Sequence, residues 1–180
     1  MIEPSPIPGA ALNGAREEAK AYLRIETADE DALIDRMVAA ALSLCEAFTG
    51  LVLIERDFVE TVAGACEWRS LSLKPVRAIT GVARRSALSP AEPLPVESYA
   101  IDIAADGRGL VRVTDAGGAA RVEVGYRAGI ASGWAGIPEA LRQGTLRLVA
   151  HSHAHRDDAK DAGPPAAVAA LWRPFREMRI

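Results

Sequence analysis

The chain has 180 residues, of which 49% are hydrophobic and 25% charged, and its formal net charge is −3. At this length a folded chain buries roughly 70% of the surface it exposes when unfolded, so a core can form without a metal or a disulfide framework. The slight acidity argues against a protein whose main task is gripping nucleic acid, which rests on clustered Lys and Arg, but it suits a wall along which DNA slides. The first residues, Met-Ile-Glu-Pro-Ser-Pro-Ile-Pro, lack the basic start and apolar run of a signal peptide and predict an extended arm over 1–12. Asn13 is placed to cap a short helix from Gly14 to Ile25, with Glu17 and Glu18 near its positive end. Thr27 and Glu30 have capping-box spacing and predict the start of a longer helix. Within it, Leu33, Met37, Ala41, Leu44 and Phe48 form one apolar line, and Ile34, Val38, Leu42 and Cys45 a second beside it. A face that wide marks the central core helix, ended by Gly50 in a left-handed conformation.

After Gly50 the period changes. Leu51–Val62 is rich in β-formers, Leu71 and Leu73 alternate with serines, and Val76–Ala83 reads as a further strand. Three prolines mark 86–95 as a loop. Tyr99, Ile101 and Ile103 alternate, Gly107-Arg108-Gly109 turns the chain into Leu110–Val113, and a second turn leads into Arg121–Tyr126. Short strands at this spacing predict an antiparallel sheet or small sandwich.

A Gly-rich loop over 129–136 precedes Pro138 and Glu139, which open a helix with Leu141, Thr145, Leu148, Val149 and Ser152 on one face. The stretch 157–163 is polar, Pro164-Pro165 restart a short helix through Trp172, and Pro174 stops it. The fold class is therefore α+β: a small helical bundle of long N-terminal helices and a late helix, with an inserted antiparallel β-region and extended termini. The chain divides into an arm (1–12), one domain (13–172) and a tail (173–180). No run approaches the roughly 20 apolar residues that span a bilayer. Cys45 and Cys66 stand far apart, outside any metal or redox pattern.

Catalytic signatures are few. There is no GxSxG elbow, no phosphate loop and no GxGxxG between a strand and a helix. All three histidines, His151, His153 and His155, lie beside Asp157 and Asp158. His151 and His155 share a helix face and with Asp158 would offer metal ligands, whereas His153 points about 200° away from His151. No Glu stands between them as in HExxH, and a polar helix end explains them adequately. No cofactor and no enzymatic activity are expected; a metal-binding enzyme on His151 and His155 is the alternative.

Six stretches in order carry a resemblance: Glu17–Ile25 with the acidic start Asp29-Glu30-Asp31; Ala47–Ile54; Leu73–Val82; Val122–Gly129; Ile137–Gly144 running into Leu148–His151; and Pro164–Val168 through Leu171–Arg176. Together they resemble the phage head–tail connector family, which includes adaptors of long-tailed phages and of gene transfer agents. Ser152–His155 departs from the bulkier aromatic or Tyr/Glu-containing stretch of the relatives. The resemblance implies a structural subunit of a ring, commonly twelve-fold, at the head–tail neck of a virion or gene-transfer-agent particle. Its partners would be copies of itself, the portal protein and the next connector or tail protein, with DNA passing through the channel. No membrane partner is implied. A DNA-packaging accessory is a further alternative.

The tail is the candidate portal contact: Trp172, Arg173, Pro174, Phe175, Arg176 and Arg179 combine apolar anchors with arginines in a segment too short for its own core. The competing reading has Trp172 and Phe175 packing back onto the domain with the arginines solvated. The arm, the loop 84–96 and the surroundings of Trp134 are secondary candidates.

Overall fold

The computed structural model describes residues 1–85, 91–155 and 163–176. The chain forms two compact units, one of Met1–Pro6 with Glu55–Gly129, the other of Ile7–Ile54 with the segment from Ile130 onward.

The second unit is helical: α1 (Gly9–Leu23), α2 (Asp31–Thr49), α3 (Glu139–Ala154) and α4 (Ala166–Trp172). Helix α1 begins at Gly9 rather than Gly14, because Pro8 supplies the first acceptor: its carbonyl takes the N–H groups of Ala11 and Leu12. Asn13 is an exposed residue inside the helix instead of its cap. Helix α2 begins at Asp31, and the expected Thr27 cap forms no hydrogen bond; the Glu30 carbonyl accepts from Leu33 and Ile34. Gly50 ends α2 at φ 77°, its N–H on the Glu46 carbonyl, in the left-handed geometry that glycine adopts without cost.

Of the two apolar lines on α2, the one through Ile34, Val38, Leu42 and Cys45 is sealed, with at most 1% exposure. Of the other line, Ala41 is buried and Leu33, Met37, Leu44 and Phe48 are half-buried. Ala11, Ala15 and Ala19 of α1, Leu141, Leu146, Leu148 and Val149 of α3, and Val168 and Trp172 of α4 complete this core. Leu53 and Ile54 belong to it too, and Val52 beside them is also buried. They are extended and buried, but pair with Ile130 and Ala131 and not with the sheet. This corrects the strand expected from Leu51. The Glu46 carboxylate accepts the Leu53 N–H at 2.9 Å and ties this leg to α2.

The first unit is all β: β1 (Ile2–Pro4), β2 (Arg56–Ala63), β3 (Arg69–Ser70), β4 (Val76–Arg84), β5 (Glu92–Pro93), β6 (Tyr99–Ile103), β7 (Gly109–Val113) and β8 (Arg121–Ala128). One antiparallel sheet runs β1-β2-β8-β4-β5 and the other β3-β7-β6. β2 and β8 pair without interruption from Arg56↔Ala128 to Ala63↔Arg121, while β4 meets β8 with two register shifts. The alternation gives β8 its inner row, Val122, Val124, Tyr126 and Ala128, all at or below 1% exposure. Strand β1 lies within the segment read as an extended arm, and β5 within the segment read as a loop; both are too short to leave a periodic signal. Leu71 is buried beside β3 without being in a strand. Among the described residues no helix is long and apolar enough to cross a membrane.

Candidate functional site

The structure encloses Trp172 inside its own unit, with no exposed surface. Its ring lies 5.8 Å from that of Phe48, and its Nε1–H donates to the Leu141 carbonyl at 3.4 Å. Gly144 makes this possible: an added Cβ there would overlap the indole Nε1 and stand 2.7 Å from Cδ1. Trp172 is thus packed within its own unit, at the start of the tail.

Beyond it, Arg173–Phe175 form a single 3-10 turn closed by the Arg176 N–H on the Arg173 carbonyl. Arg173, Pro174 and Arg176 are exposed, and Phe175 is half-buried against the helical core. The Arg176 guanidinium sits 5.4 Å above the Phe48 ring, so the tail starts from a fixed direction with its charges outward. Arg179 lies outside the described residues.

The histidines separate as helix geometry requires. His153 Nε2 is 3.1 Å from the Glu30 carboxylate at the start of α2. His151 and His155 stack at 4.3 Å, and His155 Nδ1 bonds the His151 carbonyl at 2.9 Å. Asp157 and Asp158 lie outside the described residues. Among the described residues no three His, Cys, Asp or Glu side chains converge as a metal site. A surface depression of about 340 Å³ in the β-unit is lined by Met1, Thr61, Arg85 and Arg121, and Arg85 is held by Glu123.

Two polar clusters escaped the sequence reading. In the helical unit, Glu18 accepts the Trp134 indole N–H at 2.6 Å and the Arg142 guanidinium at 3.4 Å, which fastens the Gly-rich loop to α1 and α3. Trp134, 5% exposed, is therefore no surface feature. In the β-unit, Glu60, 6% exposed, accepts from the Tyr126 hydroxyl, the Ser72 N–H and the Ser72 hydroxyl. Burial, and then the Glu60 carboxylate, push the Tyr126 phenol well above its ordinary value, so it stays a donor. Glu60 shares the inward parity of Phe58, and a carboxylate in an inward register is the signal that marks such a cluster. Three ion pairs hold α1 to α2: Lys20 Nζ to Asp31 at 2.6 Å, and Arg16 to Asp35 at 2.9 Å and to Asp31 at 3.7 Å.

The family model for head completion proteins matches residues 15–163. The chain belongs to the head completion protein family. The match spans the β-unit apart from β1, and the helices from within α1 through α3, and stops before α4 and the tail. No curated protein matches. Among solved structures, the chain is similar to one from the neck of an empty gene transfer agent particle, computed with C6 symmetry. That pair has 25% identity and a TM-score of 0.79, covering 100% of this chain and 97% of the other. A chain of the native particle's neck, computed with C12 symmetry, matches at 25% identity and TM-score 0.77 with the same coverage. A chain of the native gene transfer agent virion matches at 26% and 0.74, again over 100% and 97%. The chain has the mixed helix and sheet content expected from sequence, four helices with two antiparallel sheets.

Proposed function

We propose that this head completion protein is a structural subunit of a particle neck, assembled as a ring between the portal and the tail, through which DNA passes. The observation that carries the reading is the end-to-end similarity to a gene transfer agent neck chain, at TM-score 0.79 over all of this chain. The internal architecture agrees with scaffolding. Its buried polar groups are spent on tying elements together: Glu60 on Ser72 and Tyr126, Glu18 on Trp134 and Arg142, Lys20 on Asp31. The head completion family is a structural one, and the role read here is non-enzymatic. The net charge of −3 suits a lumen that does not retain DNA.

In this reading the tail docks on the portal through Arg173, Pro174 and Arg176, with Phe175 and the buried Trp172 setting its direction; Arg179 extends the same basic edge. The test uses the full chain in its producing cell. Deleting the gene should leave filled heads without tails, restored by the wild-type copy; normally tailed particles from the deletion strain would refute the neck assignment. Replacing both Arg173 and Arg176 by alanine should lower the melting temperature by no more than about 2–4 °C, the loss of the Arg176–Phe48 contact, and weaken portal binding by about tenfold or more. Unaltered portal binding by that variant would refute the tail assignment alone.

A further inference from the structure

The β-unit has four terminal strands, and three of them have few N–H groups to offer a further strand. β1 contains Pro4, β5 is Glu92-Pro93, and β3 has two residues. β6 runs for five residues with neither proline nor a basic side chain, and it exposes Ile101 (45%) and Ile103 (41%). Proteins ordinarily blunt such an edge.

The hydrogen-bond phase fixes what the edge presents. Thr114 N–H donates to Ser98 and Ala104 N–H to Arg108, so the even-numbered residues bond β7, and Tyr99, Ile101 and Ile103 point their backbone groups away from it. The Ile103 N–H is already taken by the Asp102 carboxylate at 2.9 Å. Two donors remain, Tyr99 N–H and Ile101 N–H, without a partner among the described residues. On β1 the same phase analysis gives the complement. Thr61 N–H donates to Met1 and Ser5 N–H to Asp57, so Met1, Glu3 and Ser5 face β2 and the groups of Ile2 and Pro4 face outward.

Resting on the ring reading above, we propose that the β6 edge of one copy receives β1 of the next, antiparallel, with Ile2 opposite Ile101 and Pro4 opposite Tyr99. In that register Ile101 and Ile2 exchange both backbone hydrogen bonds, and Tyr99 N–H donates to the Pro4 carbonyl. The missing proline N–H leaves the Tyr99 carbonyl unused, and the Ile103 carbonyl lies beyond the end of β1 in this register. Ile2 meets Ile101 on one face, a β-branched pair that suits a pleated surface. The two edges differ, so the contact is head-to-tail and propagates around a ring, whereas β6 against β6 would close a dimer. The partner is a second copy of this chain, recognised mainly through its main chain.

Glu3 and Ala100 would be the intervening non-hydrogen-bonded pair, with Cα atoms about 4.5 Å apart, within disulfide reach. The experiment introduces Glu3→Cys and Ala100→Cys with Cys66→Ser, purifies particles and oxidises them. The expected result is a ladder of covalent oligomers, absent from either single-cysteine chain. Monomers only, in particles that contain the protein, would overturn the strand exchange and leave the ring reading standing; dimers and nothing longer would overturn it in favour of β6 self-pairing. Absence of the otherwise folded protein from particles would overturn the ring reading and this proposal with it. A second variant, Ile101→Pro, removes an N–H that β7 does not use. It should keep the wild-type circular dichroism and melting curve while incorporation per portal falls about tenfold; wild-type incorporation would contradict the proposal.

Discussion

In an open helix, exchanging glycine for alanine stabilises by about 0.5–1 kcal/mol, because the unfolded chain has less freedom to lose. Gly144 lies inside α3, but its missing Cβ is occupied space. A methyl there would overlap Trp172 Nε1 and stand 2.7 Å from Cδ1 and 2.9 Å from Cε2, closer than real Cβ contacts allow. The rigid indole is fully buried between Phe48 and the backbone of α3, so it cannot sidestep without opening the core. Overpacking of this kind costs about 1–3 kcal/mol, and full loss of a buried Trp about 3–5 kcal/mol. Set against the intrinsic gain, Gly144→Ala should destabilise by about 2 kcal/mol, or about 4–8 °C in melting temperature at this chain length. The assay is thermal unfolding followed by near-UV circular dichroism, with Gly9→Ala as the control, since nothing lies within 4 Å of its Cβ position. An unchanged or raised melting temperature for Gly144→Ala would refute the placement of Trp172 on α3.

Lys20→Ala should cost about 1–3 kcal/mol in denaturant unfolding, because it leaves Asp31, now bonded at 2.6 Å, with only the longer 3.7 Å contact to Arg16. Tyr126→Phe removes a donor from the buried Glu60 carboxylate and should cost about 1–2 kcal/mol with no change in the far-UV spectrum. Burial, and secondarily the Glu46 carboxylate, push the Cys45 thiol up to about 12 from an ordinary 9.0. Because the folded value is the higher one, this stabilisation is complete below pH 9 and is lost as pH rises towards 12, and Tyr126 acts in the same direction. Denaturation midpoints measured from pH 7 to 11 should therefore fall at the alkaline end for the wild type and fall less steeply for Cys45→Ala.

The parts of the fold that could be read in advance are those where one residue pattern has one outcome. Gly50 has a single sensible role after an apolar helix, and Val122, Val124 and Tyr126 alternate over a full strand. Elsewhere local chemistry permits alternatives that only tertiary packing decides. Both apolar lines on α2 are credible core faces; the one through Ile34 and Val38 is sealed because α1 and α3 close over it. Val52–Ile54 have β-forming side chains, yet their ladder partners, Ile130 and Ala131, are far away in sequence. Thr27 has capping-box spacing, but the helix starts after it. For the tail, composition alone left Trp172 open as anchor or docking residue. The legible clue was Gly144 on the inward side of α3, a helix glycine that leaves room for a large ring.

The central claim is that the protein occupies the particle neck as a ring between portal and tail. The direct measurement is electron microscopy of native particles from the producing cell, with the neck reconstructed and this chain fitted to the density. The account predicts a closed ring of copies in contact with the portal, with the Arg173–Arg176 turn on the portal side. Mature, tailed particles whose neck density is fully explained by other chains would contradict it.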